Sequence, residues 1–328
     1  MLKVASAVGS IALLRGVIRA RRKMDLTGKT VVITGGSRGL GLVLARTLGE
    51  RGARVAICAR DAAELERAKQ ELVRMGIDTF AMVCDVSDRD DVLKLIASVE
   101  DDFGAIDVLV NNAGIIQVGP LEAMTEDDFE RAMKINWGGP LHAMMAVLPG
   151  MRKRKHGRIV NIASIGGKLA MPHLAPYAAS KFALVGLSEA MRAECAKDNI
   201  YVTTVCPGLM RTGSPPFAWF KGHVKDEYAW FSIGDNSKLT SVSAESACAQ
   251  IADALAAGDP ELVISPQAKL AAFAHGLAPG FVQEVLGIVT RFLPPPTTSK
   301  IAVEGKDADL AQIHHDVMKQ VRAPAFRR

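Results

Sequence analysis

Tyr177 and Lys181 stand four residues apart in the stretch Tyr177-Ala178-Ala179-Ser180-Lys181. On a helix that spacing puts a phenol and an ammonium on one face. A free tyrosine ionises at a pKa of about 10 and is a poor base at neutral pH. A nearby ammonium favours the phenolate and lowers that value. Such a pair suits proton exchange with an alcohol or carbonyl oxygen, a role worth about 10²- to 10⁴-fold in rate. By itself a Tyr-x-x-x-Lys pair is common surface chemistry, so its meaning depends on what holds it and what converges on it.

A second group of residues could hold an anion. The β-branched run Thr30–Thr34 leads into Gly35-Gly36-Ser37-Arg38-Gly39-Leu40-Gly41, after which Leu40, Leu44 and Leu48 recur at helical spacing. Glycines are needed where a backbone turns tightly and approaches a pyrophosphate. The amino terminus of the next helix adds N–H groups and a positive dipole end. A glycine-rich turn between strand and helix therefore predicts a dinucleotide site. NAD sites usually carry an acid about 20 residues past the loop, at the end of the second strand. Here that strand ends at Cys58-Ala59 and Arg60 follows, while Arg38 lies in the loop itself. Two guanidinium groups near the adenosine ribose suit a 2′-phosphate, which points to NADP. Asp61 is the rival, as a ribose ligand for NAD, and solvated surface arginines are the bland alternative.

The elements around these motifs alternate. Short runs at Thr30–Thr34, Arg54–Cys58, Thr79–Val83, Val108–Val110, Arg158–Ile162, Val202–Val205 and Glu261–Ile264 are mostly separated by amphipathic segments of a dozen residues or more. Alternation of strand and helix predicts an α/β, doubly wound parallel sheet, a Rossmann fold of about seven strands. Near-continuous apolar strands fit a sheet covered on both faces. No linker is evident between Met24 and Ser265, so residues 24–265 are expected to form one cofactor-binding catalytic domain. Residues 266–328 are expected to add a C-terminal helical extension, with apolar helices at Ala268–Leu277 and Phe281–Leu293 and a loose polar stretch at Thr297–Asp307.

In their order along the chain these motifs resemble the short-chain dehydrogenase/reductase family in its single-domain form. The matching pieces are Thr34 to Gly41, Asp85-Val86, Asn111-Asn112-Ala113-Gly114, Asn136, Ser164, the Tyr177/Lys181 pair and Pro207-Gly208. Each is modest alone; the ordered set spans most of residues 29–265. The resemblance implies that Tyr177 is the acid/base and that Lys181 tunes it and binds the nicotinamide ribose. Ser164 would hydrogen-bond the substrate oxygen, and Asn136 would hold a water linking Lys181 to solvent. Asp85 would contact the adenine, with Val86 beside it. Asn111, Asn112, Ala113 and Gly114 would support the cofactor and sheet, and Pro207, Gly208 and Thr212 would lie along the nicotinamide. Gly35, Ser37, Arg38, Gly39, Leu40, Gly41 and Arg60 complete the NADP site. The implied activity is interconversion of a carbonyl and an alcohol, and the implied assembly a homodimer or homotetramer built on long helices around Asn136–Met151 and Leu174–Lys197.

Other features bound the reading. Five cysteines, none in a C-x-x-C spacing, argue against a disulfide framework or zinc site, and seven histidines without ligand spacing predict no metal. A net charge of +5 is weak evidence for nucleic-acid binding, so none is expected. Residues 1–23 join an uncharged apolar run, Val4–Leu14, to Arg19, Arg21, Arg22 and Lys23. The run is too short for a membrane span, which needs about 20 apolar residues. It is either a peripheral membrane contact that holds a cytoplasmic domain against the bilayer or a helix packed on protein. The basic run Arg152 to Lys155 reads as a helix C-terminal cap. Phe217, Trp219, Phe220, Tyr228, Trp230 and Phe231 crowd one segment although aromatics are only 5% of the chain. They are either a flap over a bulky apolar (lipid-, sterol- or retinoid-like) substrate or packing for the C-terminal helices or a partner subunit. A non-catalytic NADP-binding sensor or scaffold is the alternative function. An extended-branch isomerase or dehydratase fits less well, because its loop reads G-x-x-G-x-x-G.

Overall fold

Side-chain alternation along the central strands decides the layering. In β1 (Thr30–Thr34), Val31 and Ile33 point to one side and Val32 to the other; in β2 (Arg54–Ala59), Val55 and Ile57 oppose Ala56 and Cys58. All seven are buried, so both faces of the sheet are covered. The computed structural model describes residues 14, 16–236, 241–297 and 299–308, the side chains of 234–236 excepted.

Five more strands, β3 (Thr79–Val83), β4 (Val108–Asn111), β5 (Gly157–Ile162), β6 (Ile200–Pro207) and β7 (Glu261–Ile264), complete a seven-stranded sheet. Its order is β7-β6-β5-β4-β1-β2-β3 and every pairing is parallel. Val32 of β1 faces Ala56 on one side and Leu109 of β4 on the other. These are the expected runs, and β6 is the most extended relative to expectation.

The helices are α1 (Gly39–Glu50), α2 (Ala62–Arg74), α3 (Arg89–Phe103), α4 (Glu126–Met133), α5 (Gly139–Arg154), α6 (Ala175–Cys195), α7 (Val224–Asn236), α8 (Ala244–Ala257), α9 (Pro266–Leu277) and α10 (Pro279–Val289). Leu44 and Leu48 of α1, Leu65 and Leu72 of α2, and Ile251 of α8 share one core. Leu95 and Val99 of α3 and Met144 and Leu148 of α5 share the other. Asp88 caps α3 by accepting the Asp90 N–H at 2.8 Å. The basic run ends α5 as expected: Arg152, Lys153 and Arg154 occupy its last turn, and Arg154 donates to the Ile106 carbonyl at 2.7 Å. The strand order reverses between β1 and β4, which opens a crevice at the carboxyl ends of the strands.

Outside this sheet, Trp219–Phe220 forms a short strand between Gln117–Val118, which is parallel to it, and Val303–Glu304, which is antiparallel. The expectation of a loose Thr297–Asp307 is therefore overturned at its end. Gly305 makes the close approach feasible, because a Cβ there would meet the Pro215 carbonyl. The aromatic segment packs on itself and on this strap. Phe220 and Tyr228 are buried with Val118 and Ala308, and Trp230 and Phe231 pack against them. Among the described residues this cluster contains none from α9 or α10, which one of the two readings expected.

Helix α10 starts earlier than its expected Phe281, because Pro279 fits a first helical turn. At the other end of the chain, Arg19 pairs with Asp259 at 3.2 Å and the Arg22 guanidinium lies 4.4 Å from the Tyr201 ring centroid. Half of the basic cluster is thus packed on the domain. The apolar run Val4–Leu14 lies outside the described residues apart from Leu14, which is exposed. All five cysteines are free and buried.

Candidate active site

The glycine loop leaves β1 and opens α1. Gly35 and Gly39 have φ of 67° and 53°, values that suit glycine. A Cβ on Gly35 would lie 2.9 Å from the Ala113 Cα, and one on Gly41 would meet the Gly35 carbonyl and lie 2.5 Å from Asn112 Nδ2. The loop is thus a cradle that side chains would fill. Arg38 occupies the N-cap of α1 and makes no side-chain cap bond, so its side chain does not take the first-turn N–H groups that an anion site uses. These residues fit a dinucleotide pyrophosphate.

The loop is tied to the end of β4. Thr34 Oγ1 accepts the N–H groups of Asn112 and Ala113, both at 3.1 Å. Asn112 Nδ2 donates to the carbonyls of Thr34 at 3.0 Å and Gly35 at 2.9 Å. Asn111 Nδ2 donates to Asn161 Oδ1 at 2.7 Å, and Asn161 Nδ2 to Ser188 Oγ at 2.8 Å, which joins β4, β5 and α6 inside the core. Beyond β3, Asp85 accepts the Ser87 N–H at 2.9 Å, and Val86 is buried against Gly139. Thr212 is buried, with its carbonyl 3.5 Å from where a Gly39 Cβ would stand, so the segment after β6 roofs the loop. Gly208 donates its N–H to the Ile264 carbonyl at 3.1 Å.

At the adenosine end, Arg60 is exposed after β2. Arg38 is engaged: Nη1 pairs with Glu64 at 2.6 Å, and its guanidinium stacks 3.8 Å from the Phe217 ring centroid. Asp61, the rival ribose ligand, caps α2 by accepting the Glu64 N–H at 2.8 Å. That bond, above all, holds the Asp61 carboxyl below its ordinary range.

The four residues expected to act in proton transfer, Asn136, Ser164, Tyr177 and Lys181, come from three elements. Asn136 sits in a π-helical turn, Lys134–Gly138, between α4 and α5; such turns are frequent at functional sites. It is fully buried. Its Oδ1 accepts the Ile115 N–H at 2.8 Å, and its Nδ2 donates to the Ile115 carbonyl at 3.0 Å and to Ser180 Oγ at 2.9 Å. Lys181, on α6, is buried, and its Nζ donates to the Ile162 carbonyl at 2.8 Å. Nζ lies 5.7 Å from the Tyr177 ring centroid. Burial lowers the Lys181 pKa to about 8. Ser164 follows β5 and accepts the Gly166 N–H at 3.0 Å. A Cβ on Gly166 would lie 3.2 Å from Tyr177 Cε1 and 3.4 Å from Ser164 Oγ, so phenol and hydroxyl flank one glycine.

Several residues of this region carry no sequence motif. Ser180, inside the Tyr177–Lys181 stretch, is the one that joins Asn136 to α6. Glu227 is fully buried, accepts from Trp230 Nε1 at 2.6 Å and lies 2.8 Å from His173 Nδ1, which ties α7 to the segment before Tyr177. Lys221 Nζ lies 2.5 Å from Asp128 Oδ2, a buried pair that joins the aromatic segment to α4. Partners so far apart in the chain leave no local signature.

The chain is similar to known proteins in sequence and in fold. A family model described as short chain dehydrogenase matches residues 29–216. A dehydrogenase/reductase SDR family protein 7-like from Anopheles gambiae is 35% identical over 258 residues, 77% of this chain and 80% of its own. A putative ketoacyl reductase of Streptomyces coelicolor is 38% identical over 200 residues, 60% of this chain and 76% of its own. Among solved structures, an actinorhodin polyketide ketoreductase with NADPH has a TM-score of 0.64 at 30% identity, covering 74% of this chain and 97% of its own. A short-chain dehydrogenase from Streptomyces avermitilis reaches 0.68 at 29% identity, over 80% and 99%. The glycine cradle on β1, the asparagine ties behind it and the matched span of residues 29–216 agree, and the chain belongs to the short chain dehydrogenase family of oxidoreductases.

Proposed function

We propose that this oxidoreductase uses NADP(H) to interconvert a carbonyl and an alcohol on a bulky apolar substrate. The observation that carries the reading is the convergence of Ser164, Tyr177 and Lys181 beside a glycine cradle that a pyrophosphate fits. Residues 24–265 form the catalytic unit, flanked by an N-terminal contact segment (1–23) and a helical extension (266–328).

A bound nicotinamide dinucleotide supplies or accepts the hydride. The chain's residues do the rest. Gly35, Ser37, Gly39, Leu40 and Gly41 cradle the pyrophosphate, and Arg38 and Arg60 face a 2′-phosphate. Asp85 and Val86 border the adenine. Asn112, Ala113 and Gly114 back the nicotinamide side, with Pro207, Gly208 and Thr212 along it. In the reductive direction Tyr177 gives its phenolic proton to the substrate oxygen, and Ser164 Oγ donates to that oxygen as charge develops on it. The Lys181 ammonium stabilises the phenolate that remains. Asn136 fixes the backbone at Ile115 and the helix that carries Tyr177 and Lys181.

NADP(H) is favoured over NAD(H) because Asp61 is committed to capping α2 while Arg38 lies in the loop. An apolar substrate is favoured by the extension next to the site. Leu270, Phe273, Leu277, Phe281, Ile288 and Phe292 on and just beyond α9 and α10 are between 54 and 83% exposed. Helix α9 begins at the wall of the site, where Ala268 packs on Gly208. This hairpin would rest on the cytoplasmic face of a membrane, the natural source of a lipid-like ketone. Among the described residues no helix is long and apolar enough to cross one. Exposed Met145 on α5 and Phe182 on α6 suit a homodimer or homotetramer built on those helices.

The test is cofactor turnover: NADPH and NADH consumption with a series of ketones of increasing chain length. Faster turnover with NADPH, rising in kcat/KM with apolar length, supports the reading. A preference for NADH, or for short polar ketones, overturns the corresponding half of it.

A further inference from the structure

Glu64 stands in the first turn of α2, at the point where the loop would meet a 2′-phosphate. Its Oε2 lies 2.6 Å from Arg38 Nη1 and 3.4 Å from Ser37 Oγ. The Glu64 backbone is fixed, because its N–H is the group that Asp61 accepts. The carboxylate is therefore aimed from a capped helix turn. From the other side the Phe217 ring stacks on the Arg38 guanidinium, which limits where that group can go. Arg38 keeps 46% of its side chain exposed and Glu64 only 20%, so the carboxylate is the more enclosed partner. One carboxylate on one guanidinium and one hydroxyl uses the same donors that a phosphate monoester seeks.

We propose that Glu64 is a specificity-determining residue for the dinucleotide: its carboxylate holds the Ser37 and Arg38 donors that a 2′-phosphate takes, and so narrows the preference for NADP(H) over NAD(H). The inference rests on the cofactor reading given above. A 2′-phosphate must either displace the carboxylate or share the guanidinium with it, and like charges at close range oppose sharing. A free 2′-hydroxyl meets neither cost, and it can donate a hydrogen bond to Glu64. One acidic side chain thus weakens one cofactor while it accommodates the other.

The experiment measures the Kd of NADPH and of NADH by fluorescence for wild type, Glu64→Gln, Arg38→Ala and the double variant. Glu64→Gln keeps the size of the side chain and the N–H that Asp61 accepts, so α2 keeps its cap. The expected result is NADPH binding about threefold to tenfold tighter in Glu64→Gln, the range for removing one like charge at a partly exposed site. NADH binding is expected to be unchanged or weaker, and the gain for NADPH is expected to shrink in the double variant, where only the Ser37 hydroxyl and the direct repulsion between carboxylate and phosphate remain. An unchanged or lower NADPH preference in Glu64→Gln overturns the inference, and so does a gain that is undiminished without Arg38. If Arg38→Ala still lowers the NADPH preference in either of those cases, the cofactor reading survives. If Arg38→Ala leaves the preference unchanged, Arg38 drops out of that reading and the inference falls; a preference for NADH in the wild type overturns the reading itself.

Discussion

Asn136 and Ser180 are joined by a hydrogen bond of 2.9 Å that ties the π-helical turn before α5 to the helix carrying Tyr177 and Lys181. The same amide holds both the N–H and the carbonyl of Ile115, one residue beyond Gly114. Asn136→Ala leaves these buried groups without their partner. The expected cost is about 1–3 kcal/mol of stability, read as a lower denaturation midpoint, together with a fall in kcat that exceeds the change in KM.

Much of this was legible because the fold repeats one local rule. The strands of the sheet are short apolar, largely β-branched runs, and the glycine loop, Asp85-Val86, Asn111 to Gly114 and Pro207-Gly208 lie at strand ends where the chain must turn, while the Tyr177/Lys181 pair shows through its four-residue spacing on α6. Asn136 and Ser164 were placed by family resemblance, since neither has a distinctive neighbourhood in sequence. What escaped were pairs made by long-range packing. His173 and Glu227 are separated by 54 residues and Lys221 and Asp128 by 93, so no periodicity links them. The strap at Val303–Glu304 escaped for a similar reason, because two residues carry no strand pattern until they find Trp219–Phe220. Glu64 looked like any acid in a first helical turn.

Lys181 gives a pH dependence whose sign follows from burial. Its pKa falls from the ordinary 10.5 to about 8. Between those values the unfolded chain keeps a proton that the folded chain has released, so this group's contribution to stability rises with pH across that window. The stability difference between wild type and Lys181→Met, measured by denaturant unfolding from pH 7 to 10.5, should therefore shift in favour of wild type as pH rises. In the proposed mechanism reduction uses the charged lysine, so it should decline above about pH 8 in the wild type.

Asp128 and Lys221 form a buried pair reinforced by Gln117 Nε2 at 3.1 Å and the Thr125 N–H at 2.8 Å. Burial pushes the Asp128 carboxyl up, but the Lys221 ammonium and the Thr125 bonds outweigh it and leave its pKa below 3.8. The pair's contribution is thus complete above that value and is lost as pH falls through the lower folded one. Asp128→Ala leaves a buried ammonium alone and should cost about 3–5 kcal/mol. Replacing both residues by apolar ones should cost much less, which a double-mutant cycle of unfolding free energies would show.

The hairpin of α9 and α10 should bind bilayers. Co-flotation with vesicles of neutral and anionic phospholipid is expected for the full chain. It should be reduced by Leu270→Glu combined with Phe281→Glu, whose side chains are 69% and 71% exposed. Both positions lie outside the matched span of residues 29–216, so turnover of a short soluble ketone should be retained. Equal flotation of both proteins would show that the hairpin is not the membrane contact.

The most direct test of the proton-transfer assignment is single-turnover hydride transfer in wild type and Tyr177→Phe, each preloaded with NADPH and mixed with an apolar ketone. Loss of about 10²- to 10⁴-fold in rate, with NADPH affinity within a few-fold of wild type, is the expected result. Equal rates in the two proteins would remove Tyr177 from the chemistry and contradict the assignment.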